Sequence, residues 1–137
     1  MTTKQHDYFG RHIPLMALLG LEPVSLDESG ARARLPWRAE ITNSRGDIHG
    51  GTLMSILDFL LSAAGRSHDP SLGMATIDMT THFMAPATTD LDVTARCLRR
   101  GASIVFCEGE IHDAKGTLVA KASASFKVLP KRPGGDA

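Results

Sequence analysis

Residues 51–66, GTLMSILDFLLSAAGR, decide how this chain folds. Placed on a helical wheel, the segment is apolar nearly all round: Leu53, Met54, Ile56, Leu57, Phe59, Leu60, Leu61, Ala63 and Ala64 leave little polar surface. Such a helix belongs inside a domain rather than on its surface. Asp58 interrupts it. An ionised carboxylate among apolar neighbours is costly unless it is paired, hydrogen-bonded or neutralised. The wheel also gathers Gly51, Ser55, Asp58, Ser62 and Gly65, at spacings of four and three, into one narrow stripe of small and polar side chains. Small residues admit a close neighbour, and Ser55 and Ser62 put hydroxyls beside the carboxylate. The plain structural reading is a packing seam in which Asp58 pairs with a core arginine. The functional reading is a working carboxylate in a site.

The residues just before the helix favour the second reading. His49-Gly50-Gly51 is a turn where the helix should begin. The first backbone N–H groups of a helix lack internal acceptors and sit at the positive end of its dipole. Glycines there add no Cβ to obstruct a ligand oxygen. This is how an oxyanion hole is built, holding the charge that develops on a carbonyl under attack. His49 fits better as a positioning residue of the loop than as a proton carrier. Spacing adds a consequence. Gly50 and Asp58 are separated by about 12 Å along a helix, whereas an oxyanion donor and an attacking group must each lie about 3 Å from one reacting carbonyl. One helix cannot present both to the same group. The pattern therefore predicts sites shared between two subunits of a symmetric dimer.

Working outward from the helix, a short apolar helix is expected over residues 13–19, opened near Pro14 and stopped by Gly20. Residues 22–26 and 31–35 flank Asp27-Glu28-Ser29-Gly30 as a hairpin, and 36–50 read as a loop. Four extended segments follow, at 75–84, 91–98, 102–112 and 117–129. In the last of them Leu118, Ala120, Ala122, Ala124, Phe126 and Val128 alternate with polar residues. Tight turns at Arg100-Gly101 and at 113–116 suggest an antiparallel meander. The fold class is α+β, one long sheet wrapped around one buried helix.

The 137 residues suit a single domain spanning 1–137, with flexible ends at about 1–8 and 131–137. Fifteen basic and fifteen acidic residues cancel, which gives no field favouring nucleic acid or an anionic membrane. No signal peptide is visible, and no run approaches the roughly 18 apolar residues of a membrane span. A soluble cytoplasmic protein is the expectation. Cys97 and Cys107 lie in expected strands without metal-site spacing and read as reduced core thiols. No metal or separate cofactor is called for.

Asn43, His49-Gly50-Gly51, Asp58 and Gly73-Met74-Ala75-Thr76-Ile77-Asp78-Met79, in this linked spacing, resemble the hotdog-fold acyl-CoA thioesterases of the PaaI-like, phenylacetate-pathway group. The likeness runs over residues 13–129. It implies a curved sheet around a central helix, dimers with interfacial sites, often paired into dimers of dimers, and hydrolysis of an acyl-CoA to free acid and coenzyme A, which belongs to the substrate. By the same resemblance Gly50 matches the oxyanion-hole amide and Asp58 the catalytic carboxylate. His49 and Asn43 match residues that shape the thioester-binding turn, and Thr76 falls where members hold the attacking water with Ser or Thr. Gly51, Met54, Ser55, Leu57, Ser62 and Phe83 are the candidate lining of the substrate pocket beside the helix. Ala85 departs from the pattern, since many relatives carry Arg before the proline here. Arg99, Arg100 and Lys127 are then candidates for the coenzyme A phosphates. Two other readings share the fold: an acyl-thioester hydratase or dehydratase using a histidine, and a non-catalytic acyl-CoA binder. The first lacks its His-containing Gly-Pro-rich segment here, and the second has no need of the carboxylate.

Overall fold

The computed structural model describes residues 7–130. In chain order they form α1 (Pro14–Leu19), β1 (Glu22–Asp27), β2 (Gly30–Leu35), a short 3-10 turn (Ala39–Ile41), α2 (Gly50–Gly65), β3 (Gly73–Phe83), β4 (Leu91–Arg100), β5 (Ile104–Asp113) and β6 (Leu118–Leu129). The strands make one antiparallel sheet in the order β1-β2-β4-β5-β6-β3. Packed against all six strands, α2 is wrapped by the sheet as in the expected hotdog fold.

Inward-facing small residues let the sheet close on the helix. Ala120, Ala122 and Ala124 of β6 are buried, and Gly109 of β5 leaves the space that the Leu61 side chain fills. A Cβ on Gly109 would stand 2.5 Å from Leu61 Cδ1. On the helix side Ile56, Leu57, Leu60, Leu61, Ala63 and Ala64 have no exposed surface. Fully burying one leucine is worth roughly 1.5–3 kcal/mol, so this face carries much of the domain's stability.

Three expectations need correction. The four later strands are not one meander: β4-β5-β6 is, but β3 pairs with β6, Gly73 opposite Leu129 and Phe83 opposite Ala120, while β4 pairs with β2. The connection through Pro86 is no tight turn. Its Met84 and Ala85 amides donate to the Val119 carbonyl, and the Ala87 carbonyl accepts from Ile48 N–H, carrying the chain past the start of α2 to the other half of the sheet. Consequently β3 is an edge strand. The helix, second, is not buried all round. Along the stripe Gly51 is exposed and Ser55, Asp58 and Ser62 are half-buried, because the sheet covers only the opposite faces. Third, residues 7 and 8 are not loose: Tyr8 is 2% exposed and its hydroxyl donates to the Leu21 carbonyl at 2.9 Å. The flexibility expected of 1–6 and 131–137 lies outside the described residues.

Cys97 and Cys107 are both free and face one another across β4 and β5. Burial, followed by the neighbouring Cys97, pushes the Cys107 thiol up, which keeps it protonated and unreactive. No helix among the described residues is long and apolar enough to cross a membrane.

Candidate active site

The loop before α2 is organised by Asn43. Its side-chain oxygen accepts from the Arg45 and Asp47 amides at 2.9 and 3.2 Å, and its own N–H donates to the Asp47 carbonyl at 2.7 Å. An Asn at this place closes the loop locally, as Asx turns do. The loop delivers His49 in an extended conformation (φ −60°, ψ 138°) as the N-cap of α2. Backbone bonds from Ile48 N–H to Ala87 and from His49 N–H to Ile41 fix it from both sides.

His49 then divides the labour between the two glycines. Its Nδ1 accepts from Gly51 N–H at 2.8 Å, satisfying one orphan donor of the helix start. The Gly50 N–H has no acceptor among the described residues, and it points from the positive end of a 16-residue helix. Where a Gly50 Cβ would be, the Phe83 ring lies 3.6 Å away. Phe83 is 51% exposed, so a flat apolar surface stands beside the free amide.

Asp58 lies eight residues along the helix, with Thr76 of β3 reaching it. The Thr76 hydroxyl donates to Asp58 Oδ1 at 2.6 Å, in the range of a charge-assisted bond. β3 runs antiparallel to α2, placing Phe83 by Gly50, Thr76 by Asp58 and Met74 by Gly65. The stripe is thus the floor of a groove, with β3 as one wall. α1 forms the other: Ile13, Leu15 and Met16 bound a pocket together with Ser55, Asp58, Phe59 and Ser62.

Several expected site residues take other places. Ser55 and Ser62 line this pocket, but their hydroxyls donate to the Gly51 and Phe59 carbonyls at 2.9 and 2.7 Å rather than to Asp58. Leu57 is fully buried in the core and does not reach the groove. Met54 is 40% exposed on the open side of the helix. Arg100 donates to the Ala64 carbonyl and to Ser67 Oγ at 3.2 and 2.7 Å, capping the C-terminal end of α2 about 20 Å from Gly50. Arg99 is exposed on β4 just past a bulge at Leu98, and Lys127 is exposed on β6.

Arg66 was not among the expected residues. It is 4% exposed and, among the described residues, donates to backbone carbonyls, of Pro70 at 3.0 Å and of Tyr8 and Phe9 at 3.5 Å. Burial, then the nearby Arg11 guanidinium, lowers its pKa to about 10, which leaves it charged at neutral pH. The residue ties the segment before α1 to the end of α2. A basic residue directly after a buried helix, at its C-cap, was the available signal, though it did not show which carbonyls the side chain would hold.

Residues 45–120 match the family model of the thioesterase superfamily. A protein of Halobacterium salinarum, provisionally named an esterase, is 30% identical over 127 residues, covering 84% of each chain. A conserved protein of Pseudomonas aeruginosa is 29% identical, with a TM-score of 0.81 over 91% of this chain and 97% of that one. The PaaI protein of the E. coli phenylacetic acid degradation operon shares the fold at 23% identity, with a TM-score of 0.80 over 87% of this chain and 86% of its own.

Proposed function

Since the chain belongs to the thioesterase superfamily and has its hotdog fold, we propose that it hydrolyses the thioester of an acyl-coenzyme A, in the cytoplasm, to the free acid and coenzyme A. One observation carries the reading: the Asp58 carboxylate, fixed through Oδ1 by Thr76, lies open to a groove whose helix begins at a Gly50 N–H with no acceptor among the described residues. A carboxylate for attack and an amide for the oxyanion are the two groups that acyl transfer from a thioester needs.

In the proposed reaction the thioester oxygen rests on the Gly50 N–H. Asp58 either removes a proton from water, whose oxygen then bonds to the carbonyl carbon, or attacks that carbon itself to form an anhydride that water opens. In both routes the carbon–sulfur bond breaks and coenzyme A leaves as the thiol. Thr76 keeps the carboxylate aimed, His49 and Asn43 hold the loop that frees the Gly50 amide, and Met54 and Phe83 supply apolar surface near it.

The roughly 12 Å between Gly50 and Asp58 supports two subunits per site. β3 offers the means: its 11 residues form a sheet edge with Ile77 55% exposed, a surface open to pairing with another chain. Two copies joined edge to edge about a twofold axis have antiparallel α2 helices, which brings each Gly50 toward the other subunit's Asp58. Pairing of such dimers into tetramers belongs to the same proposal.

Release of free thiol from a panel of acyl-CoAs, followed with a thiol reagent, tests the activity. Turnover of at least one acyl-CoA with loss of the thioester is the expected result. Hydration of an enoyl-CoA without thiol release, or binding without any reaction, would overturn it.

A further inference from the structure

The pocket between α1 and α2 is open on one side, and its α1 wall is held in place rather than loose. Phe59, on its floor, stacks face to face on Phe9 (ring centroids 6.0 Å, planes 3° apart) and edge-on to Tyr8 at 5.6 Å. Arg66 holds the carbonyls of the same two residues, and Phe9 takes a left-handed φ of 57°, which persists only where its surroundings enforce it. Arg11 donates to the Pro70 carbonyl at 2.9 Å and to that of Leu72, tying this segment to the chain that leads into β3. From that base α1 presents Leu15, 49% exposed, over the stripe, while Met16 is buried beneath it.

The chemistry of the lining is one-sided. Asp58 lines the pocket, the protons of Ser55 and Ser62 are committed to helix carbonyls, and among the described residues that line it none is cationic. Such a pocket offers apolar surface and acceptors, with nothing to balance a negative charge. Within one chain its volume is about 260 Å³, room for roughly nine groups of water size at about 30 Å³ each before the open side is reached.

Resting on the reading above, we infer that this pocket is the acyl subsite and that Leu15 of α1 sets its depth. The substrates are acyl groups with an uncharged, apolar body of about eight carbon atoms. Acetyl is too small to fill the pocket, long-chain acyl groups overrun Leu15, and acyl groups ending in a carboxylate are rejected.

S-alkyl-coenzyme A thioethers, which lack the reacting carbonyl, test this by calorimetry without any turnover. In the wild-type protein affinity should rise several-fold per two methylenes up to about eight carbons and then level off. Leu15→Trp should move the levelling point to shorter chains and weaken the eight-carbon thioether at least tenfold relative to the four-carbon one. Leu15→Ala should move it to longer chains. Leu18→Trp, at a position on the same helix that is 73% exposed and outside the pocket, should leave the profile as it is. A terminal carboxylate on the eight-carbon chain should cost at least tenfold. The proposal is overturned if affinity does not depend on alkyl length, if both Leu15 variants keep the wild-type profile, or if the carboxylate is tolerated. Thiol release measured alongside separates the two readings: turnover with an unchanged profile sinks the subsite and leaves the hydrolase.

Discussion

Two faces of α2 differ in what they are for. The face toward β2, β4, β5 and β6 is packed without exposed surface through Ile56, Leu57, Leu60 and Leu61, and Leu61 fills the space left by Gly109. The other face carries Gly51, Ser55, Asp58 and Ser62, which β3 borders through Thr76 but which the described residues leave partly open. The first face holds the sheet closed, and the second keeps a carboxylate accessible. A single 16-residue helix can do both because its periodicity separates the two tasks by side rather than by length. Damage to the packed face should therefore be read as stability, and damage to the open face as rate.

The sharpest contrast comes from Leu60→Ala set against changes on the open side. Leu60→Ala should cost about 2–5 kcal/mol in denaturant unfolding while the folded fraction keeps its turnover. Gly50→Pro should do the reverse. Proline is accepted in the first helical position, and the extended His49 before it suits a following proline. The substitution replaces the free N–H with a ring carbon, in ordinary contact distance of Phe83 on its Cβ side, and should lower kcat by a factor on the order of 10²–10³. Asp58→Asn should lower turnover by a factor on the order of 10² or more, again with the fold intact. If the two open-face variants unfold as easily as Leu60→Ala, the division between faces is wrong.

A smaller effect belongs to Thr76→Val, which removes the hydroxyl from Asp58 Oδ1 and keeps the strand-forming shape. Loss of a hydrogen bond to a charged group, at about 1.5–3 kcal/mol, predicts a fall in kcat of roughly tenfold or more. An unchanged rate would make Thr76 a bystander. Smallest is Arg100→Met. Capping the last carbonyls of α2 is worth about 0.3–1 kcal/mol, so a drop of a few degrees or less in the thermal midpoint is expected, with KM for acyl-CoA unmoved. A raised KM without a stability change would return Arg100 to the coenzyme A phosphates.

How much of this was legible in the chain follows from what each residue does. The helix, the hairpin and the alternating strand β6 announce themselves by local periodicity, and their bounds fall within a few residues of the observed ones. The placement of β3 could not be read that way. A strand that crosses the sheet has the same alternation as one that turns back, and only the irregular bonds around Pro86 show which occurred. In the site, the carboxylate and the glycine turn stood out because each violates a local rule. The serines misled, because a wheel shows where a hydroxyl sits and not which carbonyl takes its proton. Leu57 misled because one residue, about 100° around the helix, separates the groove from the core. The carbonyls that Arg66 holds and the wall formed by α1 could not be read locally, since both rest on contacts between segments far apart in sequence.

The central claim is that Gly50 of one subunit and Asp58 of another act on the same thioester. Mixing Gly50→Pro and Asp58→Asn chains, unfolded and refolded together, tests it in one measurement of thiol release. A shared site gives each mixed dimer one intact Gly50–Asp58 pair. Random pairing of equal amounts then recovers about a quarter of wild-type activity from two nearly inactive parents. Activity no higher than the mean of the two parents, with mixed dimers present, would place both groups in one subunit and contradict the account.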